Sequence, residues 1–266
     1  MTHADPGSRA HVPRKRFGQH FLHAPGILRR IVEAVAPRAG DRLVEIGPGE
    51  GALTLPLLRA CGRLTAIELD RDLIESLGER ARGVGELTII GADVLTVDFG
   101  ALAGGAPLRV VGNLPYNIST PILFHCLDHA GAIADMHFML QKEVVERMAA
   151  PSGSKTYGRL SVMLQLRCTV DPLFRVPPGA FRPPPKVDSA VVRLTPLPPA
   201  ALPDVPFSAI DRVVRAAFGQ RRKTLANALK SLLDAGQIEA AGVDPRVRAE
   251  QLDPQAFVAL ARVVAA

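Results

Sequence analysis

Cysteine is scarce in this chain. Its 266 residues hold three, Cys61, Cys126 and Cys168, far apart and in no CxxC pair. A disulfide scaffold is excluded, a zinc cluster is not indicated, and a sparse, odd count fits a reducing cytoplasm. No stretch of 18 apolar residues occurs, so no membrane span is expected. The first residues are polar (Thr2, His3, Asp5, Ser8, Arg9), and no signal peptide is expected. The GxSxG nucleophile pattern and the P-loop pattern with its lysine are both missing. His125, His129 and His137 have no acidic or cysteine partner at metal-ligand spacing and read as structural. There are no internal repeats and no low-complexity tract.

What is present is ordinary globular composition, 47% hydrophobic and 22% charged. At about 150 residues per domain the length allows one large domain or one and a half, enough to bury a full core without staples. The net charge of +6 is unevenly placed. Residues 1–30 hold six basic side chains against one acidic, residues 41–100 six against eleven, and Arg212 to Lys230 six basic and none acidic. An acidic middle between basic ends fits a small-molecule site flanked by surfaces for a polyanion. A charge run alone reads first as a solvated helix face.

Residues 1–16 read as a flexible basic arm centred on Arg14-Lys15-Arg16. Ile27, Ile31, Val32 and Val35 have helical spacing, and Pro37 ends that helix. Strands and helices then alternate: strands at 43–46, 63–68, 87–90, 108–111 and 136–140, with helices at 52–61, 71–82 and 120–129. Such alternation implies an α/β fold with a mostly parallel sheet, whose ligands bind at the carboxyl ends of the strands. Pro177-Pro178 and Pro183-Pro184-Pro185 bracket a rigid loop carrying Phe181, and 187–194 is a last alternating strand. The final sixty residues read as helices only, at 210–218, 224–233 and 254–264. A domain boundary is expected within the proline-rich connector 196–206. The expected organisation is an arm over 1–16, an α/β domain over 17–200 and a small all-helical domain over 201–266.

The segment Glu45-Ile46-Gly47-Pro48-Gly49-Glu50-Gly51 joins the first strand to its helix. Gly47 and Gly49 allow positive φ and close backbone approach to a ligand. Pro48 removes an N–H that a pyrophosphate would use, so the turn suits a nucleoside with a carboxylate tail better than a dinucleotide. Glu68 ends the second strand, 21 residues after Gly47, where an acid can accept from ribose hydroxyls. Asp93 follows the third strand and can accept from an adenine amine. Each alone reads equally well as a strand-end charge or a cap. Together, at successive strand ends, they favour a nucleoside site.

After the fourth strand comes Gly112-Asn113-Leu114-Pro115-Tyr116-Asn117. Asn, Gly and Pro all favour tight turns, which is the plain reading. The chemical reading starts from adenine N6, a poor nucleophile because its lone pair is delocalised into the ring. Alkylation requires both N–H bonds to point at acceptors, so that the lone pair faces the methyl donor. The Asn113 side-chain oxygen and the Leu114 carbonyl supply two acceptors, and Pro115 stiffens the backbone between them. Tyr116 offers a stacking face, worth about 1–3 kcal/mol by analogy with other base–aromatic stacks. The hydroxyl is not needed for stacking, so Tyr116→Phe is expected to retain most activity. No strong base is required, because the nitrogen sheds its proton once alkylation has made it cationic. Orientation does most of the work.

The ordered motifs FGQHFL at 17–22, EIGPGEG at 45–51, IELDRDL at 67–73, GNLPYNISTP at 112–121, MHFMLQKEV at 136–144, FRPPPKVDSAVVRL at 181–194 and FGQRRKTL at 218–225 span almost the whole chain. In them the chain closely resembles the ribosomal RNA adenine dimethyltransferases, nearest to the bacterial small-subunit (16S) branch. The resemblance implies a class I methyltransferase (Rossmann-like) fold with a small helical C-terminal domain. It implies S-adenosyl-L-methionine as cofactor, S-adenosyl-L-homocysteine as product and no metal. The implied substrate is two adjacent adenines near the 3′ end of the small-subunit RNA, each methylated twice. The implied partner is the small ribosomal subunit or its precursor, met by a cytoplasmic monomer away from any membrane. Carried over by position, His20, Leu22, Gly47, Gly49, Glu68, Asp93 and Asn113 meet the cofactor. Asn113 to Tyr116 hold the amine, and Phe181 stacks on the flipped base. The family usually has Asn where this chain has His20. Arg14, Lys15, Arg16, Arg221, Arg222 and Lys223 are the candidate phosphate contacts; the plain reading of the latter three is a solvated helix face, and Arg212, Arg215 and Lys230 on nearby turns favour phosphate contact.

Three alternatives are weighed against this. A nicotinamide-dependent oxidoreductase predicts a GxGxxG turn and no basic C-terminal helices, and both count against it. A non-catalytic ribosome assembly factor has no need of an intact NLPY loop. A large-subunit RNA adenine methyltransferase of the macrolide-resistance type is the nearest rival, and FGQRRKTL favours the small-subunit enzyme.

Overall fold

The structure, a computed structural model, describes residues 20–220 and 222–265. A two-residue strand, β1 (Phe21–Leu22), precedes helix α1 (Pro25–Val35), whose first-turn Pro25 gives up an N–H that has no helical partner anyway. Strand and helix then alternate as β2 (Leu43–Ile46), α2 (Thr54–Cys61), β3 (Arg63–Glu68), α3 (Arg71–Ala81), β4 (Glu86–Gly91), α4 (Phe99–Ala103), β5 (Leu108–Asn113), α5 (Ser119–Asp128) and β6 (Ile133–Gln141). Asp70 and Asp98 start α3 and α4 by accepting from the backbone N–H groups of Asp72 and Ala101. The chain continues as α6 (Lys142–Met148), α7 (Arg159–Gln165), β7 (Cys168–Val176), β8 (Phe181–Arg182), β9 (Ser189–Pro196), α8 (Phe207–Gly219), α9 (Leu225–Leu229), α10 (Ala235–Ala240) and α11 (Pro254–Ala265). The strands expected between 43 and 140 are all present, each end within three residues of its expected place.

The chain forms two compact units, each drawn from separate stretches. The first takes the described residues up to Ile133 together with His137–Leu140 and Val176–Ser189. The second takes Ala134–Met136, Gln141–Arg175 and the described residues from Ala190 onward, so the 196–206 connector lies inside it.

In the first unit the strand order is β4-β3-β2-β5, with β6 next to β5. β3 and β5 flank β2 in parallel, and β4 runs parallel to β3. The chain thus leaves β2 on one side for β3 and β4 and returns on the other for β5. That reversal opens a crevice at the carboxyl ends of β2 and β5. β2 and β5 are apolar runs because helices cover the sheet. Leu57 and Leu58 of α2, Leu73 and Leu77 of α3 and Ile122 and Leu123 of α5 are all buried, as are Val110 and Val111 of β5. At the crevice β5 comes so close to β2 that a Cβ on Gly112 would sit 2.7 Å from the Ile46 carbonyl oxygen. At the other end Arg109 ties β5 to the C-terminus of α1, donating to Asp41 at 2.7 Å and to the Val35 carbonyl at 2.6 Å.

β1 pairs antiparallel with β8, Leu22 opposite Phe181. Phe181 was expected in a rigid loop; it lies in this strand pair, only 2% exposed. A two-residue ladder leaves no periodic signature, and the flanking prolines read as loop.

In the second unit β9 and β7 are neighbours. Its aromatic core is Tyr157, Phe218 and Phe257, with Phe218 5.6 Å from Phe257 in a stack and 6.0 Å from Tyr157 edge-on. Arg167 lies over the Phe207 ring at 4.1 Å. The described residues beyond the connector are helical, as expected, although α9 is half the length expected for 224–233. Arg222 and Lys223 lie in the turn between α8 and α9, in the gap left between the helices expected at 210–218 and 224–233. Strand β7 was not anticipated, since Pro172 in its middle argues against a strand.

Candidate active site

The crevice at the carboxyl ends of β2, β3 and β5 is a cavity of about 340 Å³, within the usual range for small-molecule sites. The turn after β2 forms its floor. Gly47 donates its N–H to the Ile67 carbonyl at 3.0 Å, which ties the turn to β3. Gly49 has φ +56°, and a Cβ there would stand 3.0 Å from the Phe21 ring, so both conformation and space demand glycine. Its N–H donates to Glu68 Oε2 at 3.2 Å.

Glu68, at the end of β3, lines the cavity with its carboxylate held by three backbone donors. Besides Gly49, the N–H groups of Leu69 and Asp70 each reach Oε1 at 2.9 Å. A carboxylate offers about four acceptor sites, so one remains for a ligand hydroxyl. Burial pushes its pKa up, and the three N–H bonds oppose that. Asp93 also lines the cavity and accepts from Leu95 N at 3.0 Å. Asp93 is therefore a turn cap, the plainer of its two readings, and one that faces the pocket.

Asn113 ends β5. Its amide Nδ2 donates one N–H to the His20 carbonyl at 2.9 Å, which orients the amide and leaves Oδ1 as an acceptor for a ligand. Leu114 is buried beside it, its N–H bonded to the Met139 carbonyl at 3.2 Å. Pro115 and Tyr116 complete the wall. The Tyr116 phenol shares a 2.5 Å hydrogen bond with Ser189 Oγ, and the His20 ring lies 5.5 Å away, tilted by 31°. Burial pushes the Tyr116 phenol above its ordinary value, with the Ser189 bond opposing, so it stays protonated at neutral pH. His20 Nδ1 meets the Pro183 carbonyl at 2.8 Å. His20 and Leu22 both line the cavity.

The structure thus brings His20, Leu22, Gly47, Gly49, Glu68, Asp93 and Asn113 to Tyr116 together. Phe181 is not among the lining residues. Arg222 and Lys223 are exposed, while Arg14, Lys15, Arg16 and Arg221 lie outside the described residues. In the same basic stretch Arg215 is ion-paired to Asp211 at 2.9 Å. His125 and His129 pack on Phe99, and His125 Nε2 bonds the Val97 carbonyl at 2.9 Å. Among the described residues no group of three or more His, Cys, Asp or Glu is arranged to hold a metal ion.

Two lining residues escaped the sequence reading. Glu45, in the middle of β2, is 2% exposed, and its Oε2 has no hydrogen-bond partner among the described residues. Burial raises its pKa from 4.5 to about 7, and the negative charge of Glu68 adds to the rise. The Thr54 hydroxyl opposes it in part, without a well-formed hydrogen bond. The signal was an acid inside an otherwise apolar strand. Leu69 is the other, an apolar side chain left 54% exposed at the pocket. Such a side chain offers a face to a planar base, and nothing in its periodicity marks it.

A family model described as ribosomal RNA adenine dimethylase matches residues 10–266. The chain is 64% identical over 250 residues to "Ribosomal RNA small subunit methyltransferase A" of Xanthomonas euvesicatoria pv. vesicatoria, covering 94% of this chain and 95% of the relative. Among solved structures it is similar to a dimethyladenosine transferase from Plasmodium falciparum, at TM-score 0.79 and 28% identity over 91% of this chain and 96% of that one. It is also similar to the 23S rRNA methyltransferase ErmE, at TM-score 0.70 and 26% identity over 92% of this chain and the whole of that one.

Proposed function

The chain belongs to the ribosomal RNA adenine dimethylase family, and on that premise we propose how its own residues carry out the transfer. It is an S-adenosylmethionine-dependent methyltransferase of the class I fold, and it methylates adenine N6 in small-subunit (16S) ribosomal RNA to N6,N6-dimethyladenosine. The cavity residues fit the cofactor. A buried, unpartnered Glu45 oxygen in the wall suits a ligand that brings positive charge, which this sulfonium and its ammonium do. Glu68, with one acceptor site left, would take a ribose hydroxyl, and Asp93 and Leu69 would lie beside the adenine. S-adenosylmethionine supplies an electrophilic methyl group when bound and leaves as S-adenosylhomocysteine.

The observation that carries the substrate half is the Asn113 amide bond to His20. With its nitrogen turned to His20, Asn113 keeps Oδ1 as an acceptor for the target amine. Asn113 Oδ1 and the Leu114 carbonyl take the two N–H bonds of the target amine and aim its lone pair at the methyl group. Tyr116 stacks on the ring. The amine's excess proton leaves after transfer, so no side chain need act as a strong base. A role for Phe181 on the same base requires the β1–β8 pair to open.

Arg221, Arg222 and Lys223, with Arg14, Lys15 and Arg16, supply phosphate contacts. The substrate is two adjacent adenines near the 3′ end of the RNA, within the small subunit or its precursor. The protein acts as a monomer in the cytoplasm, a setting consistent with three free, buried cysteines. Among the described residues no helix is long and apolar enough to cross a membrane.

The test is to incubate the protein and S-adenosylmethionine with small subunits from a strain lacking the modification, then read the RNA by mass spectrometry. The expected product is N6,N6-dimethyladenosine at both adenines. Unmodified RNA, or methylation confined to large-subunit RNA, overturns the proposal.

A further inference from the structure

We infer that Ser189 is a positioning residue for methyl transfer, fixing the plane of the Tyr116 ring by a hydrogen bond to its hydroxyl while the His20 ring braces its face. The inference rests on the functional reading above. Three contacts meet at this point: two bind Tyr116 of the substrate loop to segments distant in sequence, and the third ties those two segments to each other. The Ser189 Oγ–Tyr116 Oη bond is 2.5 Å long and joins residues 73 apart. The His20 ring stands 5.5 Å from the Tyr116 ring. His20 Nδ1 meets the Pro183 carbonyl at 2.8 Å, so the segment that carries Ser189 is anchored to His20 at its other end.

His20 also accepts the Asn113 amide at its backbone carbonyl. One residue therefore touches both the side chain that orients the amine and the ring that holds the base. The ring contact is open to His20 and not to the Asn usual at this position, because it needs an aromatic face. Ser189 is fully buried, so its hydroxyl has no water to turn to and stays on Tyr116. The phenol is neutral, and either hydroxyl can be the donor. A stacking platform that pivots about Cβ would let the target nitrogen drift off line, and displacements near 1 Å cost about 100-fold in rate.

The hydroxyl of Tyr116 thereby gains a task that stacking does not give it. The expectation that Tyr116→Phe retains most activity changes accordingly. Ser189→Ala and Tyr116→Phe should each lower the single-turnover rate at saturating cofactor by about 10- to 100-fold. The double variant should be no slower than either single one, since both remove the same bond. Ser189→Thr keeps the hydroxyl and should recover to within a few-fold of wild type. Cofactor affinity by calorimetry and affinity for the small subunit should be unchanged throughout. The double variant leaves no buried hydroxyl orphaned, so its melting temperature should match wild type while its rate stays low, which a merely structural bond would not produce.

A Ser189→Ala rate within about twofold of wild type overturns the inference. So does a loss that tracks cofactor or RNA affinity, or a double variant whose losses multiply. Wild-type protein that makes no dimethyladenosine overturns the functional reading itself. A fully active wild type with an unaffected Ser189→Ala overturns the positioning role alone.

Discussion

Replacing Glu45 by Gln tests whether the cofactor pocket carries a built-in charge deficit. In the free protein the Glu45 carboxyl titrates at about 7 instead of its ordinary 4.5, chiefly because burial strips its water and secondly because Glu68 is nearby. Below pH 4.5 folded and unfolded chains both hold this proton. Between 4.5 and 7 the folded chain keeps a proton that the unfolded chain has released. Stability must therefore fall as pH rises through that window and level off above it. At about 1.4 kcal/mol per pH unit the loss comes to about 3 kcal/mol, a large fraction of a typical folding free energy. Gln has nearly the same shape and no charge. Urea unfolding of cofactor-free protein at pH 4.5 and pH 8 should show wild type and Glu45→Gln nearly equal at the lower pH. At the higher pH the variant should be more stable by up to about 3 kcal/mol, with the same denaturant slope. Curves that stay parallel across that range would refute the reasoning. The same deficit predicts how the cofactor binds. A cationic ligand beside Glu45 pulls its pKa back down, so wild type should release a proton on binding near pH 6. Calorimetry in buffers of different ionisation enthalpy reads that release directly, and Glu45→Gln should abolish it.

Glu68→Ala should weaken S-adenosylmethionine binding by about 0.5–1.5 kcal/mol or more, since it removes a charged acceptor, and it should also lower the melting temperature because three backbone N–H groups lose their partner; unchanged affinity in calorimetry would displace Glu68 from the ribose. Gly49→Ala meets both a positive φ and the Phe21 ring at 3.0 Å, so thermal unfolding should register a loss of at least about 1 kcal/mol. Asn113→Ala should cut turnover far more than affinity for the small subunit, because phosphate contacts dominate that affinity; equal losses in both would rule out an orienting role. Replacing Arg221, Arg222 and Lys223 by Ala should flatten the salt dependence of particle binding by about 0.9 in log–log slope per lost duplex phosphate contact, and an unaltered slope would leave the turn as solvated charge.

The central sheet was legible in the residues because buried parallel strands are short apolar runs, and because ligand turns at their ends need glycine, proline and asparagine for reasons local to the backbone. Leu43–Ile46 and Leu108–Asn113, with the turns that follow them, carry their own stop signals. Motif resemblance then placed cofactor and substrate in the same crevice. The unforeseen features all depend on contacts without a local period. Phe181, which composition places in a rigid loop, lies buried where two residues of β1 pair with two of β8. β7 forms across Pro172 because a neighbouring strand supplies what its own sequence argues against. The pairings at the site itself are likewise a matter of packing rather than propensity. His20 with Pro183, Asn113 with His20 and Tyr116 with Ser189 are 163, 93 and 73 residues apart. A chain read along its length shows which side chains can do chemistry. Only folding sets which hydroxyl meets which phenol, and leaves one carboxylate, Glu45, buried with an oxygen unpaired, because burial and hydrogen bonding belong to the whole packed interior and to no single stretch of it.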